Sequence, residues 1–289
     1  MVAPRHLLLA LLQAAWAWDA PSRDGYRIVW QDNFAGDGGS EPSSQNWHVA
    51  TDISVNNELQ RYTTSNRNIQ KSGGETLQII PWREGNGWTS GRVESKYTFT
   101  PQDGSVTAAE AQIRFGDNSK ESKQGYWPAF WLLGDAVHHG TEWPACGEID
   151  IFESVNGKLE GSGTVHCDVD KGGVCNEPQG RGASVTIPSQ GWNTWRVEWD
   201  LRDGDWRKQS LSWYLNGERF HMITGGELNE NAWASLAHSK LFFILNMAIG
   251  GNLVSFWSIL FQSSERAANT SHDSSQEIRT RLLRMGMAA

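Results

Sequence analysis

Three carboxylates stand within six residues in the stretch "CGEIDIFES" (146–154): Glu148, Asp150 and Glu153. Between them lie Ile149, Ile151 and Phe152, apolar residues that favour strands. In a strand, side chains alternate faces with period two, so Glu148 and Asp150 share a face. Glu153 falls five positions after Glu148 and would point the other way. One extra residue, a β-bulge at Ile151 and Phe152, returns it to the first face. Three acids on one face repel each other and raise at least one pKa. A purely structural strand gains nothing from that arrangement. Acid–base and nucleophilic chemistry does.

The chemistry that uses two such groups is cleavage of a glycosidic bond. Carboxyls about 5–5.5 Å apart suit the retaining route, one as nucleophile and one as acid/base. The third can hydrogen-bond the nucleophile and hold its orientation. A solvated acidic edge strand or a calcium site is the competing reading of the same spacing. Neighbouring residues bear on the choice. Upstream, "GYWPAFWLLG" places Trp127 and Trp131 close in sequence to the acids, and flat indoles suit the apolar faces of sugar rings. Downstream, "GTVHCD" places His166 on what should be an adjacent strand.

The elements that must position these residues read as strands and turns. Short segments rich in β-branched and aromatic residues, such as "TLQIIPW", "AAEAQIRF", "NTWRVEWD" and "KLFFILNMAIGG", are punctuated by Gly, Asn, Asp, Ser and Pro. Asn216-Gly217 signals a two-residue hairpin turn, and 229–236 is the one local helix expected. Many short strands without βαβ alternation imply one all-β antiparallel sandwich or jelly roll. No internal repeat or second domain is visible.

Composition narrows the partners. The chain of 289 residues carries 25 Lys and Arg against 33 Asp and Glu, a formal charge of -8, which argues against nucleic acid or an anionic membrane as partner. Its 16 Trp and 30 Gly fit a β protein with aromatic surfaces, most of the indoles filling the core. Arg5 and His6, an apolar run and the Ala15-Trp16-Ala17 site have the form of a secretory signal peptide over 1–17, an apolar N-terminal helix being the alternative. No membrane span is expected. Of Cys146, Cys167 and Cys175, the last two are the expected disulfide and Cys146 a buried free thiol, with a Cys146–Cys167 bridge as the competing pairing. Beyond Asn252 the pattern breaks. Residues 253–289 are expected to form an atypical, poorly ordered tail, with a sequon at Asn269.

The motif Glu148-Ile149-Asp150-Ile151-Phe152-Glu153, together with "NNELQRYT", "GRVESK", "WPAFWLLG", "WNTWRVEW" and "LNMAIGGN", resembles glycoside hydrolase family 16. The extra residue between the second and third acids is similar to its laminarinase branch, not to the unbulged lichenase and xyloglucan-transferase branches. The resemblance implies a concanavalin-like β-jelly roll over 18–252, two curved antiparallel sheets with a cleft across the concave face. It further implies a secreted, monomeric enzyme that hydrolyses β-1,3 or mixed β-1,3/1,4 glucan internally and with retention. Glu148 resembles the nucleophile, Asp150 its supporting residue and Glu153 the acid/base. Asn56 and Arg92 match positions that hold sugar hydroxyls, Trp127 and Trp131 match aromatic platforms, and His166 matches a polar residue near the nucleophile's sugar. Read without the resemblance, core remains the lesser alternative for Trp131, a turn residue the alternative for Asn56 and a surface ion pair that for Arg92. No organic cofactor or catalytic metal is implied, and a structural calcium on the convex side is allowed. A cell-wall glucan transglycosylase shares the scaffold and the covalent intermediate. A non-catalytic β-glucan-binding protein is a third reading, disfavoured because such relatives lack the acids. The departure from the family is the tail, which shows no recognisable closing strand, so the sheet would lose a paired member.

Overall fold

The structure, a computed structural model, describes residues 23–254 in full and 276–285 as backbone. The leader expected over 1–17 and the sequon at Asn269 lie outside the described residues. The chain forms strands β1 (Tyr26–Asp32), β2 (Trp47–Val49), β3 (Gln60–Tyr62), β4 (Ile69–Lys71), β5 (Leu77–Ile79), β6 (Trp82–Glu84), β7 (Gly87–Ser90), β8 (Arg92–Phe99) and β9 (Val106–Phe115). After these come β10 (Tyr126–Gly134), β11 (Glu148–Glu153), β12 (Glu160–His166), β13 (Arg181–Thr186), β14 (Asn193–Asp200), β15 (Ser210–Leu215), β16 (Glu218–Thr224), β17 (Leu241–Ile249) and β18 (Gln276–Met285). One short helix, α1 (Glu230–Ala237), precedes β17.

Two antiparallel sheets face each other. The first runs β16-β15-β14-β9-β18-β5-β4, with β1 also on β18; the second runs β13-β12-β11-β10-β17-β8-β2. Between them lies the core, built on fully buried indoles from both sheets and α1: Trp47, Trp195, Trp199, Trp213 and Trp233. The all-β sandwich expectation holds. A third sheet, β3-β7-β6, was not foreseen, and its β3–β7 pairing is parallel. The expected turn at Asn216-Gly217 has both residues left-handed, at φ 52° and 92°, and it joins β15 to β16. The helix begins where expected because Asn229 caps it, its side chain accepting from the Ala232 N–H. Among the described residues no helix is long and apolar enough to cross a membrane.

The expectation for the tail is corrected over 276–285; 255–275 and 286–289 lie outside the described residues. Far from lacking a closing strand, the chain returns β18 to the middle of the first sheet. It pairs with β9 along its whole length on one side, and with β1 and β5 on the other. The physical reason is partner demand. β9 presents ten residues of unpaired ladder on that side, and a strand that satisfies them needs length and register more than strict alternation.

Close packing between the sheets depends on glycines of β12 near the acids, Gly161 against Trp195 and Gly163 against Trp213. Gly163, on β12, faces the ring of Trp213, and a Cβ there would stand 2.3 Å from Trp213 Cδ1. Trp213 in turn donates from Nε1 to the Asp150 carbonyl oxygen at 2.8 Å. Gly163→Ala is therefore expected to destabilise the fold by about 1–3 kcal/mol, as overpacking does. The measurement is equilibrium denaturation; an unchanged midpoint would contradict the packing argument.

Candidate active site

The acids occupy β11, whose neighbours are β10 and β12. Against β12, Asp150 pairs with Thr164 and Glu153 with Ser162, so three steps on β11 oppose two on β12. Against β10, Phe152 pairs with Phe130 and Asp150 with Trp131, skipping Ile151. The bulge thus sits at Ile151-Phe152, where the spacing placed it. Both residues are fully buried, and Phe152 packs on Trp195 with ring centroids 4.6 Å apart. With the apolar residues anchored inward, Glu148, Asp150 and Glu153 all emerge on the outer face of the second sheet.

Each acid has a distinct partner. Trp143 donates from Nε1 to Glu148 Oε2 at 3.1 Å, and Trp127 donates from Nε1 to Glu153 Oε1 at 2.7 Å. His166 stands in register with Glu148, and its Nε2 lies 3.5 Å from Asp150 Oδ2. A carboxylate oxygen from each of Glu148 and Asp150 and a nitrogen of His166 lie within 4.8 Å of one another. Asp150 is 3 % exposed, and its Oδ2 has no hydrogen-bond partner, so the imidazole is its nearest counter-charge.

Burial governs the electrostatics. It pushes the Glu148 carboxyl up to about 7, with the charge of Glu153 adding to the rise, while His166, the Trp143 N–H and Arg92 pull it down. Asp150 is pushed well above the usual carboxylate range by burial, then by Glu153, Glu148 and Glu177. Glu153 is raised by burial, against the Trp127 N–H and His166. Burial and mutual repulsion thus raise all three carboxyls above their ordinary range, and they titrate as a coupled set.

The other expected residues fall around this cluster. Trp131 shares the Asp150 register, donates from Nε1 to Asn246 Oδ1 at 2.8 Å and packs on Leu133, Cys146, Phe242 and Ile244. It is half-buried, packed on that outer-face cluster with the rest of its ring open. Arg92 lies beside Trp131. It is 5 % exposed, bonded to Glu94 Oε1 at 2.8 Å, with its guanidinium 4.9 Å from the Trp131 ring centre. The guanidinium so held packs on Trp131, and its ion pair is buried, not on the surface. Asn56 is exposed and left-handed at φ 54°, as a turn residue is. A Cβ on Gly251 would meet Trp127 Cζ3 at 3.0 Å and the Asn56 carbonyl oxygen at 3.1 Å, so Asn56 does border Trp127.

Sequence reasoning missed Trp143, Glu58, Tyr62, Asn246 and Glu177. Asn246 Nδ2 donates to Tyr62 OH, which donates to Glu58 Oε2; Gln60 and Asn56 donate to the same carboxylate. This chain of polar groups links Trp131 to Asn56. Glu58 and Tyr62 lay inside "NNELQRYT", so the signal was present; Trp143 and Glu177 sit in loops with no periodicity to mark them. The cysteines pair as expected, Cys167 with Cys175, leaving Cys146 free and buried. Burial pushes the Cys146 thiol up to about 11, with the nearby charge of Glu148 adding to the rise.

A sandwich that turns a cluster of acids outward from one strand in this way has the architecture of a sugar-cleaving jelly roll. The chain belongs to glycoside hydrolase family 16: residues 48–198 match the XgeA-like, catalytic GH16 domain. The Beta-glucanase of Rhodothermus marinus is 29% identical over 239 residues, covering 78% of this chain and 76% of that protein. The Clotting factor G alpha subunit of Tachypleus tridentatus is 29% identical over 241 residues, 80% of this chain, and the chain spans only 31% of that protein's length. The crystal structure of the endo-1,3-beta-glucanase from Streptomyces sioyaensis is similar with a TM-score of 0.82 at 28% identity, covering 93% of this chain and 100% of that one. The jelly-roll fold expected from the sequence is therefore the observed one.

Proposed function

We propose that this chain is a secreted, endo-acting β-glucan hydrolase that cleaves β-1,3 or mixed β-1,3/1,4 glucosidic bonds with retention. The observation that carries the reading is the bulge at Ile151-Phe152, which puts Glu148 and Glu153 on one open face with separate indole donors. The names of the Rhodothermus and Streptomyces relatives support the substrate class. In this reading Glu153 gives its proton to the glycosidic oxygen as the Glu148 carboxylate bonds to the anomeric carbon, and the leaving sugar departs as an alcohol. Water then attacks the glycosyl-enzyme, its proton returns to Glu153, and Glu148 is released as carboxylate. Asp150 and His166 hold the charge and orientation of Glu148. Trp127, Trp131 and Asn56 hold the chain. Side chains suffice for both displacements, so no organic cofactor is invoked. Secretion is supported by the Cys167–Cys175 bridge, since disulfides persist in oxidising compartments.

The test is turnover of laminarin, lichenan and xyloglucan, side by side, by the purified chain. Laminarin should be cut to a ladder of oligosaccharides whose new reducing ends first appear as the β-anomer by NMR. Initial α-anomer would reverse the retaining assignment. Absence of turnover on all three polymers would sink the hydrolase reading.

A further inference from the structure

The groups described so far account for one nitrogen of His166 and leave the other. Its Nδ1 lies 2.7 Å from Glu177 Oε2. The second oxygen of Glu177 accepts the Cys167 N–H at 2.9 Å. Glu177 is 4 % exposed, and two backbone hydrogen bonds with Gly172 fix its main chain. The loop that delivers it is closed by the Cys167–Cys175 disulfide, which begins at the residue after His166. A loop that only closed the sheet edge would have no need of a buried carboxylate aimed at an imidazole.

We propose that Glu177 is a positioning residue for the hydrolytic site: it holds His166 with Nδ1 protonated and keeps the imidazole cationic where the enzyme works. The inference rests on the hydrolase reading, because the benefit of that cation falls on Glu148. Four carboxylates surround the ring: Glu148, Asp150 and Glu153 from β11, and Glu177 from the loop. Trp143 packs beside it, with ring centroids 5.7 Å apart. Arg181 on β13, in register with Val165, is turned instead to the Val174 carbonyl and Glu227. Burial by itself favours a neutral imidazole; Glu148, Glu177 and Glu153 overcome it and raise the His166 pKa. The cation so held pulls the Glu148 carboxyl down towards its ionised form.

The test exchanges Glu177 for Gln. An amide offers one acceptor and one donor face. If its oxygen keeps the Cys167 N–H, its NH₂ faces Nδ1, which must then accept, and the imidazole becomes neutral. Glu177→Gln should move the acid limb of kcat/KM on laminarin to higher pH, with roughly a tenfold or greater loss on that limb, while the thermal midpoint stays near wild type. The double variant His166→Gln/Glu177→Gln should be no slower than His166→Gln alone, because Glu177 acts through His166. Independently of any variant's folding or activity, wild-type His166 should titrate above the ordinary imidazole value of about 6.5 by NMR, its resonance identified by its loss in His166→Gln. An unmoved acid limb, additive losses in the double variant, or wild-type titration at or below the ordinary value would each overturn the proposal. If wild-type enzyme leaves every glucan uncut, the hydrolase reading fails on its own account, and the NMR titration still decides whether Glu177 holds His166 charged.

Discussion

Glu148→Gln is expected to lower kcat on laminarin by at least ~10³-fold with little change in binding, because in the proposed mechanism it removes the nucleophile and leaves the surrounding contacts. Glu153→Gln should cost about 10²–10⁴-fold, the range for a lost general acid. The two variants are then told apart by chemistry. A substrate whose leaving group needs no proton, such as a dinitrophenyl β-glucoside chain, should restore the first displacement to Glu153→Gln and do nothing for Glu148→Gln. Azide should rescue the corresponding alanine variants with opposite outcomes. With Glu148→Ala it attacks the intact substrate and gives an inverted glycosyl azide; with Glu153→Ala it attacks the glycosyl-enzyme and gives a retained one. Near-normal turnover by both glutamine variants would remove these residues from the mechanism, and exchanged azide products would reverse their roles.

Deleting residues from Gln276 onward is expected to abolish the native fold. β18 pairs with β9 at ten positions, and with β1 and β5 along its other side. Backbone hydrogen bonds contribute roughly 1 kcal/mol each, so the β9 ladder alone is of the order of the 5–15 kcal/mol that stabilises a typical domain. Removing it also parts β1 and β5 from β9. The truncated chain should lack a cooperative unfolding transition and near-UV circular dichroism, and should not cut laminarin, although every acid of β11 remains. A truncated chain that unfolds cooperatively with its activity intact would mean that β18 is dispensable.

How far the sequence was legible differs between these two cases. The acid strand could be read because its information is local. Alternation fixes faces, and a single slip in the alternation fixes the bulge. The same holds for the Asn216-Gly217 turn and the Asn229 cap, each of which stabilises one backbone conformation by its own side chain or lack of one. β18 could not be read. Its "QEIRTRLLRM" follows a Ser-rich stretch and looks like a basic tail, because a strand paired on both sides takes its conformation from its neighbours. Glu177 escaped notice for a related reason. It reaches His166 through a loop whose path is set by a disulfide and two backbone bonds, and no periodicity records such a path. Arg92 shows the converse: its place in "GRVESK" was recognised, and only the packing showed its contacts with Glu94 and Trp131.

The place of β18 in the first sheet also orders the life of the chain during translation. The ribosome finishes β1, β5 and β9 early, and β11 soon after, while β18, the strand that joins them, emerges much later. Until then β9 offers a bare edge on which a neighbouring nascent chain could dock. The contacts that close the sheet span most of the sequence, a topology that folds slowly. Assembly of the first sheet therefore waits for β18, and the strand that carries the acids, made well before it, gains a complete sandwich only once β18 has returned.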